Sequence, residues 1–533
     1  MMKYFRLLVL GWGIFMFMSC GKKDKVVPII IEPPYVPPTT NNFLGPTYSD
    51  NYTSIAGWEN RSSWNLANVH DPTVVKDGDY FYMYQTNASY GNAHDLNGTS
   101  RGLYMCRRSK DLVNWEFRDF AFSAPPSWVK DTLNAKRTRM GLQPISNPKL
   151  AYWAPCVRKV GSKFRMYYTV VVDELIIGTS VNNSWGERPY IGLAETDNLA
   201  GNVWVDKGMV VCSEAEPGRS YLRSGGNDWS SYYKFNAIDP SFIATPEGDQ
   251  WLFYGSWMTG LAALKLNPIT GKPDKLDTIT DYGMRIAGRG NLTTNRWQAL
   301  EAGEIVYNDV TGYYYLFMAY DELSVAYNTR VARSRNITGP YVGINGADVS
   351  AGAECWPMVT HPYAFASHTG WVGVSHCAIF QDPTTKEWFF FSQGRLPENV
   401  AGINVSNAVM MGQVRQIRWT EDGWPTVDPE RYAAVPKTNI GEKDLVGNWE
   451  EISMEYQYKI QQRSSTIMLS ADKKVSGAIT GTWSLDSVKQ ILYVNSIDLK
   501  LANAWDWESS PRKTTITFSG YNSAGKPMWG KKL

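Results

Sequence analysis

The sequence predicts an all-β protein: a five-bladed β-propeller followed by a small antiparallel β-barrel domain. Five segments repeat one pattern, an acceptor-rich start, a β-branched stretch, a turn and a dense aromatic strand. Most are followed by a second motif that supplies two further strands. After Tyr432 the repeat stops and a plain polar/apolar alternation takes over. Four antiparallel strands repeated in fixed order make a propeller blade, because radial repetition buries each sheet between its neighbours.

The chain begins Met1-Met2-Lys3-Tyr4-Phe5-Arg6, runs through an apolar stretch from Leu7 to Met18, and then reads Ser19-Cys20-Gly21-Lys22-Lys23-Asp24. A charged start and an apolar run too short for a comfortable bilayer crossing form an export signal, not a spanning helix. The small residue before Cys20 resembles a bacterial lipobox. Residues 1–20 are then a lipoprotein signal, and Cys20 anchors the protein to a bacterial membrane, with the outer membrane and cell surface as the candidate location. An ordinary cleaved signal with an incidental cysteine is the alternative. Residues 21–44, with Pro28, Pro33, Pro34, Pro37 and Pro38, read as an extended spacer.

The other cysteines, Cys106, Cys156, Cys212, Cys355 and Cys377, show no Cys-x-x-Cys pairing, so neither a zinc knuckle nor a dense disulfide framework is indicated, while one or two bridges stay open. A net charge of +2 over 533 residues, with no basic cluster beyond Lys22-Lys23, argues against nucleic acid as a partner. Aromatic residues make up 14% of the chain and serve both as core and as flat faces for sugar rings, two uses that composition cannot separate.

The five hairpins start at His70-Asp71-Pro72-Thr73, Trp153-Ala154-Pro155-Cys156, Ile238-Asp239-Pro240-Ser241, Leu300-Glu301-Ala302-Gly303-Glu304 and Ser375-His376-Cys377-Ala378. Their aromatic strands are Tyr80-Phe81-Tyr82-Met83-Tyr84, Phe164-Arg165-Met166-Tyr167-Tyr168, Trp251-Leu252-Phe253-Tyr254, Tyr313-Tyr314-Tyr315-Leu316-Phe317 and Trp388-Phe389-Phe390-Phe391. The second motifs include Ser109-Lys110-Asp111-Leu112, Glu195-Thr196-Asp197-Asn198 and Arg333-Ser334-Arg335-Asn336. Innermost strands line the axis, which places Asp71, Ala154, Asp239, Glu301 and His376 at equivalent positions beside it. Three carboxylates and a histidine converging there would destabilise the fold if unpaired, so the cluster argues for chemistry. The plainer reading, that Asp-Pro pairs simply end strands, weakens where Glu and His replace Asp.

Together these pieces resemble glycoside hydrolase family 43, and within it the endo-arabinanases that carry an added C-terminal domain. The resemblance spans roughly Asn68 to Tyr432. It rests on Val69-His70-Asp71-Pro72, Tyr152-Trp153-Ala154-Pro155, Asn236-Ala237-Ile238-Asp239-Pro240, Leu300-Glu301-Ala302, Tyr327-Asn328-Thr329-Arg330-Val331-Ala332-Arg333-Ser334 and Trp419-Thr420-Glu421-Asp422-Gly423-Trp424-Pro425. It implies a monomer that hydrolyses α-1,5-linked arabinan or arabino-oligosaccharides of plant cell walls with inversion, using two carboxyl groups about 6.5–9.5 Å apart. Asp71 is then the general base and Glu301 the general acid. Asp239 is the ionised neighbour that raises the acid's pKa and orients it. His376 matches an axial histidine beside a calcium ion held largely by water. A hydrogen-bonded channel histidine is the alternative, since calcium prefers oxygen.

Some positions depart from the family pattern. Gly303-Glu304 stands where an apolar or proline pair is common, and Ser375 and Cys377 flank His376. Glu304 is therefore a rival acid. Glu301 is favoured because strand alternation would turn Glu304 to the other face, as a surface or rim residue. Trp153 and Asn236 are the expected substrate contacts, with Trp64 and Trp185 as further stacking candidates.

The propeller is expected over 45–434 and the barrel, accessory or lipocalin-like, over 444–533, where strands such as Ser465-Thr466-Ile467-Met468-Leu469 alternate cleanly. It shows no acid pair of its own. Two functions compete with an endo-acting hydrolase: an exo-acting arabinofuranosidase or xylosidase of the same family, and a non-catalytic glycan-binding surface lipoprotein.

Overall fold

The computed structural model describes residues 43–533 except 51, 53–54, 88–100, 140, 173–187, 215–232, 291–298 and 398–409. The signal at 1–20 with Cys20, nearly all of the spacer, and Trp185 lie outside the described residues.

Five four-stranded antiparallel sheets follow one another along the chain. Blade I comprises Thr73–Asp77, Tyr80–Tyr84, Leu103–Ser109 and Glu116–Phe122. Blade II comprises Leu150–Val160, Lys163–Val172, Tyr190–Thr196 and Val205–Cys212, and blade III Ser241–Ala244, Gln250–Tyr254, Leu261–Leu266 and Met284–Ala287. Blade IV is Leu300–Asn308, Tyr313–Tyr320, Asn328–Ser334 and Met358–Thr360, and blade V Val372–Gln381, Trp388–Arg395, Met411–Trp419 and Pro425–Val427. Every predicted hairpin forms the inner two strands of a blade. The second motifs are the turns that leave the third strand. Ser109 Oγ accepts from the N–H groups of Asp111 and Leu112, Thr196 Oγ1 from that of Asn198, and Ser334 Oγ from that of Asn336. Hydroxyl and amide side chains recur there because they bond their own backbone.

Aromatic residues of the second strands fill the gaps between blades. Tyr167 stacks on Phe242 across blades II and III at 5.2 Å, and Phe81 meets Phe380 edge-on across blades I and V at 5.8 Å. One α-helix, Ser127–Arg139, interrupts the all-β pattern between blades I and II. It buries the apolar pair Val129 and Leu133, four residues apart on one face of an otherwise polar segment. So narrow a stripe gives little sequence signal. The five described cysteines are all buried and unbridged, which settles the open question of disulfides among them.

The axis corrects the predicted register. The equivalent residues, each with φ in the left-handed region, are Asp71 (45°), Ala154 (29°), Asp239 (54°), Ala302 (53°) and His376 (49°). Glu301 sits one residue earlier, in line with His70, Trp153, Ile238 and Ser375. In blades II, IV and V the ladder slips register at this point, between Trp153 and Cys156, between Glu301 and Glu304, and around Ser375. A bulge breaks simple alternation. Glu304 therefore points to the axis and is buried, only 6% exposed, not a rim residue.

Two residues past the turning point, side chains link each blade to the next. Thr73 Oγ1 accepts from Val157 N–H (3.1 Å), Cys156 Sγ from Phe242 N–H (3.4 Å), Ser241 Oγ from Ile305 N–H (3.1 Å) and Glu304 Oε1 from Ile379 N–H (3.1 Å). Ala378, the fifth member, has no acceptor to offer blade I. Glu304 also receives Ser241 Oγ–H and pairs with Arg158 of blade II, so one carboxylate ties four blades together.

The chain before blade I straps the ring shut. Leu66 O accepts from Gly412 N–H of blade V (2.8 Å) and Ala67 O from Arg107 of blade I (2.5 Å). Further upstream, Asp50 pairs with Arg431, while Tyr48 O accepts from Arg512 (2.7 Å) and Pro46 O from Trp505 Nε1 (3.2 Å) of the C-terminal domain. That domain is a closed eight-stranded antiparallel barrel running from Gly447–Ser453 to Pro527–Lys532, cored by Trp449, Leu469, Leu499 and Phe518. Lys531, fully buried, bonds Glu430 at the end of the propeller (2.9 Å) and Asp506 (2.8 Å).

Glu304→Ala should cost about 3 kcal/mol of stability, because it leaves a largely buried guanidinium without its partner. Chemical denaturation measures this, and Glu304→Gln, which keeps an acceptor for Ile379 N–H, should lose less.

Candidate active site

The turning points bring Asp71, Asp239 and His376 to one end of the axis, and the preceding strand residue adds Glu301. Asp71 is positioned by the Asp-Pro turn and by its own N–H, which donates to Gln393 Oε1 at 2.7 Å. Its Oδ2 accepts from Thr86 Oγ1–H at 2.5 Å, and its Oδ1 lies 3.0 Å from His376 Nδ1 and 3.3 Å from His70 Nδ1. Burial would raise this carboxyl. The charges and hydrogen bonds of His376 and His70 outweigh it and hold Asp71 well below the usual carboxylate range.

Asp239 has a different environment. It is buried, and its carboxylate accepts from Ala302 N–H at 3.3 Å. Burial, reinforced by Glu301 and Asp71 against the opposing pull of His376, pushes it up to about 8. Glu301, by contrast, receives two hydroxyls: Ser256 Oγ–H on Oε2 at 2.8 Å and Tyr327 O–H on Oε1 at 2.7 Å. Asp239 therefore keeps its proton at neutral pH. Where the sequence predicts an ionised Asp239, burial and the neighbouring Glu301 and Asp71 carboxyls favour its neutral form.

His376 is buried, which disfavours its charge, but Asp71 and Asp239 outweigh burial and push the imidazolium up to about 9. Tyr327 O–H, 3.5 Å from His376 Nδ1, is held well above the usual phenol range by burial and the surrounding carboxylates, so it stays a donor. Among the described residues no three His, Cys, Asp or Glu side chains converge as ligands, and the space enclosed beside His376 and the axial turns is about 20 Å³, room for roughly one water.

Of the expected substrate contacts, Trp153 is partly exposed directly before axial Ala154. Asn236 is buried, its Oδ1 accepting from Ser213 Oγ–H at 3.4 Å. Trp64, 1% exposed, is core and no stacking platform. Glu304 is excluded as the acid: it lies in the lower ring, engaged by Arg158, Ser241 and Ile379. Sequence reasoning missed Thr86, Ser256 and Tyr327. The first two follow closely on the second strands of their blades, where no motif marks them. Tyr327 stands at the head of the Tyr-Asn-Thr-Arg motif, which was its one signal.

Residues 66–425 match the family model described as glycosyl hydrolases family 43, and residues 429–530 match one described as a C-terminal lipocalin-like domain. Over 522 residues the chain is 27% identical to an extracellular endo-α-(1→5)-L-arabinanase of Thermotoga petrophila, covering 90% of this chain and 98% of that protein. It is 26% identical over 494 residues to extracellular endo-α-(1→5)-L-arabinanase 2 of Bacillus subtilis, covering 87% and 92%. The crystal structure of endo-1,5-α-L-arabinanase from Thermotoga petrophila shares the fold, with a TM-score of 0.66 at 24% identity over 88% of this chain and 99% of that one.

The His376 imidazole should titrate near pH 9 by NMR. Its folded value lies above the unfolded value of about 6.5, so its contribution to stability is complete below that pH and lost as pH rises through about 9. Asp71→Asn removes its largest attractive partner and should lower the midpoint.

Proposed function

The chain belongs to glycosyl hydrolase family 43, and from that premise we propose that it cleaves internal α-1,5-L-arabinofuranosidic bonds of arabinan with inversion. The observation that carries this reading is the convergence on one axis of Asp71, kept ionised by His376 and His70, with Glu301, held by Ser256 and Tyr327, and Asp239, whose carboxyl is pushed up to about 8. Inversion needs one carboxylate and one carboxylic acid at the same pH. The substrate follows from the likeness to arabinanases along both domains.

In this mechanism Asp71 takes a proton from water, its orientation set by Thr86 and two histidines. Glu301, the acid, delivers its proton to the glycosidic oxygen of the leaving group. Ser256 and Tyr327 hold the Glu301 carboxyl in place. Trp153 supplies a stacking face beside the axis, and Asn236 braces the approach to Asp239. Export and lipid attachment at Cys20 belong to the same proposal, supported by the opening sequence and by relatives described as extracellular.

Asp71→Ala and Glu301→Ala should each lower turnover of linear arabinan by at least ~10²-fold. Oligosaccharides of mixed length should appear before monosaccharide; early monosaccharide alone would indicate an exo-acting enzyme. Activity should fall on the alkaline side near pH 8, where Asp239 loses its proton. Asp239→Asn removes the group that titrates there, so that limb should disappear. In a bacterial host, Cys20→Ser should abolish incorporation of labelled fatty acid and release the protein from the membrane fraction.

A further inference from the structure

Between its strands Gly447–Ser453 and Ser465–Leu469 the barrel sends a segment onto the propeller. There Gln462–Arg463 pairs in parallel with Tyr363–Ala364, and Gln461 Nε2 donates to Tyr363 O and Thr369 O at 2.9 Å each. Ahead of this anchor, three side chains reach the loop that follows Tyr320 of blade IV. Tyr456 O–H donates to Asp321 Oδ2 at 2.9 Å, Tyr458 O–H bonds both oxygens of Glu322 at 2.8 and 2.9 Å, and Lys459 Nζ pairs with Glu322 at 2.7 Å.

The loop they grip borders the active site. It starts at Asp321 and ends at Tyr327, which donates to Glu301. Within it Leu323 packs on Ala302, Ala319 and Tyr327. Tyr458 is 52% exposed and Lys459 half-exposed, and exposed ion pairs add little to global stability. Two exposed side chains converging on one carboxylate at the foot of this loop are placed to hold it still more than to hold the domains together.

We propose that Tyr456, Tyr458 and Lys459 are positioning residues: through Asp321 and Glu322 the barrel fixes loop 321–327, and so the hydroxyl of Tyr327 against Glu301. The kinetic part of this rests on Glu301 being the acid. The structural part does not.

The test uses full-length protein carrying Tyr458→Phe with Lys459→Met, separately Glu322→Gln, and Lys459→Arg as the conservative control. Hydrogen–deuterium exchange of peptides covering 319–328 is compared with exchange elsewhere, alongside kcat and KM on linear arabinan. The expected result is faster exchange confined to 321–327, kcat lowered on the order of 10-fold, below the ~10²-fold cost of an ångström-scale misplacement, and KM changed by less than about 2-fold. The Tyr458/Lys459 and Glu322 changes should be non-additive in combination, and Lys459→Arg should behave as wild type. Unchanged exchange in the loop overturns the proposal, as does faster exchange with unaltered kcat. Exchange that rises throughout the propeller with a lowered melting temperature also overturns it, because the contacts then serve only stability. Should the wild type fail to cleave arabinan, the functional reading falls while the exchange comparison still decides the brace.

Discussion

Five sheets converging on one axis bring backbone N–H groups into a narrow space, and each left unpaired there would cost about 1–3 kcal/mol. Thr73, Cys156, Ser241 and Glu304 answer four of them, each side chain accepting from the neighbouring blade. The acceptors differ in chemistry but share a position. That ring fixes where every inner strand bends, and the bend one step above it turns Asp71, Asp239 and His376 toward a common point. The left-handed backbone at these residues is a strain of order 1–3 kcal/mol apiece, tolerated because the ring below holds the strands in place.

The division of labour among the carboxyls follows from how many donors each receives. Asp71 collects a hydroxyl and two imidazoles, Glu301 two hydroxyls, and Asp239, among the described residues, a backbone N–H. All are buried or nearly so, hence desolvation separates them less than hydrogen bonding does. His376 serves as counter-charge to Asp71. A cation built into the chain thus stands beside the base.

Much of this was legible in the sequence. The aromatic hairpins repeat strongly enough to count the blades, and the Asp-Pro turns locate Asp71 and Asp239 because proline fixes where the strand begins. Blade IV lacks that marker. Its bulge between Glu301 and Glu304 has no signature in residue type, so Glu301 was placed one position off and Glu304 was sent to the wrong face. Thr86, Ser256 and Tyr327 reach the site from parts of the chain far from the residues they serve, and their roles depend on contacts that no local pattern encodes. The helix at Ser127–Arg139 hid behind two apolar residues.

Each blade is made of four consecutive strands, so no strand is exchanged between the first and last blades, and the strap of residues 46–67 closes the ring instead. Its hydrogen bonds run to the barrel at Pro46 and Tyr48, to Arg431 at Asp50, and to blades V and I at Leu66 and Ala67. A pulling force applied upstream of Phe43 meets these attachments one after another. The barrel contacts take the first tension, and the seam between blades I and V is loaded only once they yield. The barrel thereby acts as a strain relief for the catalytic ring.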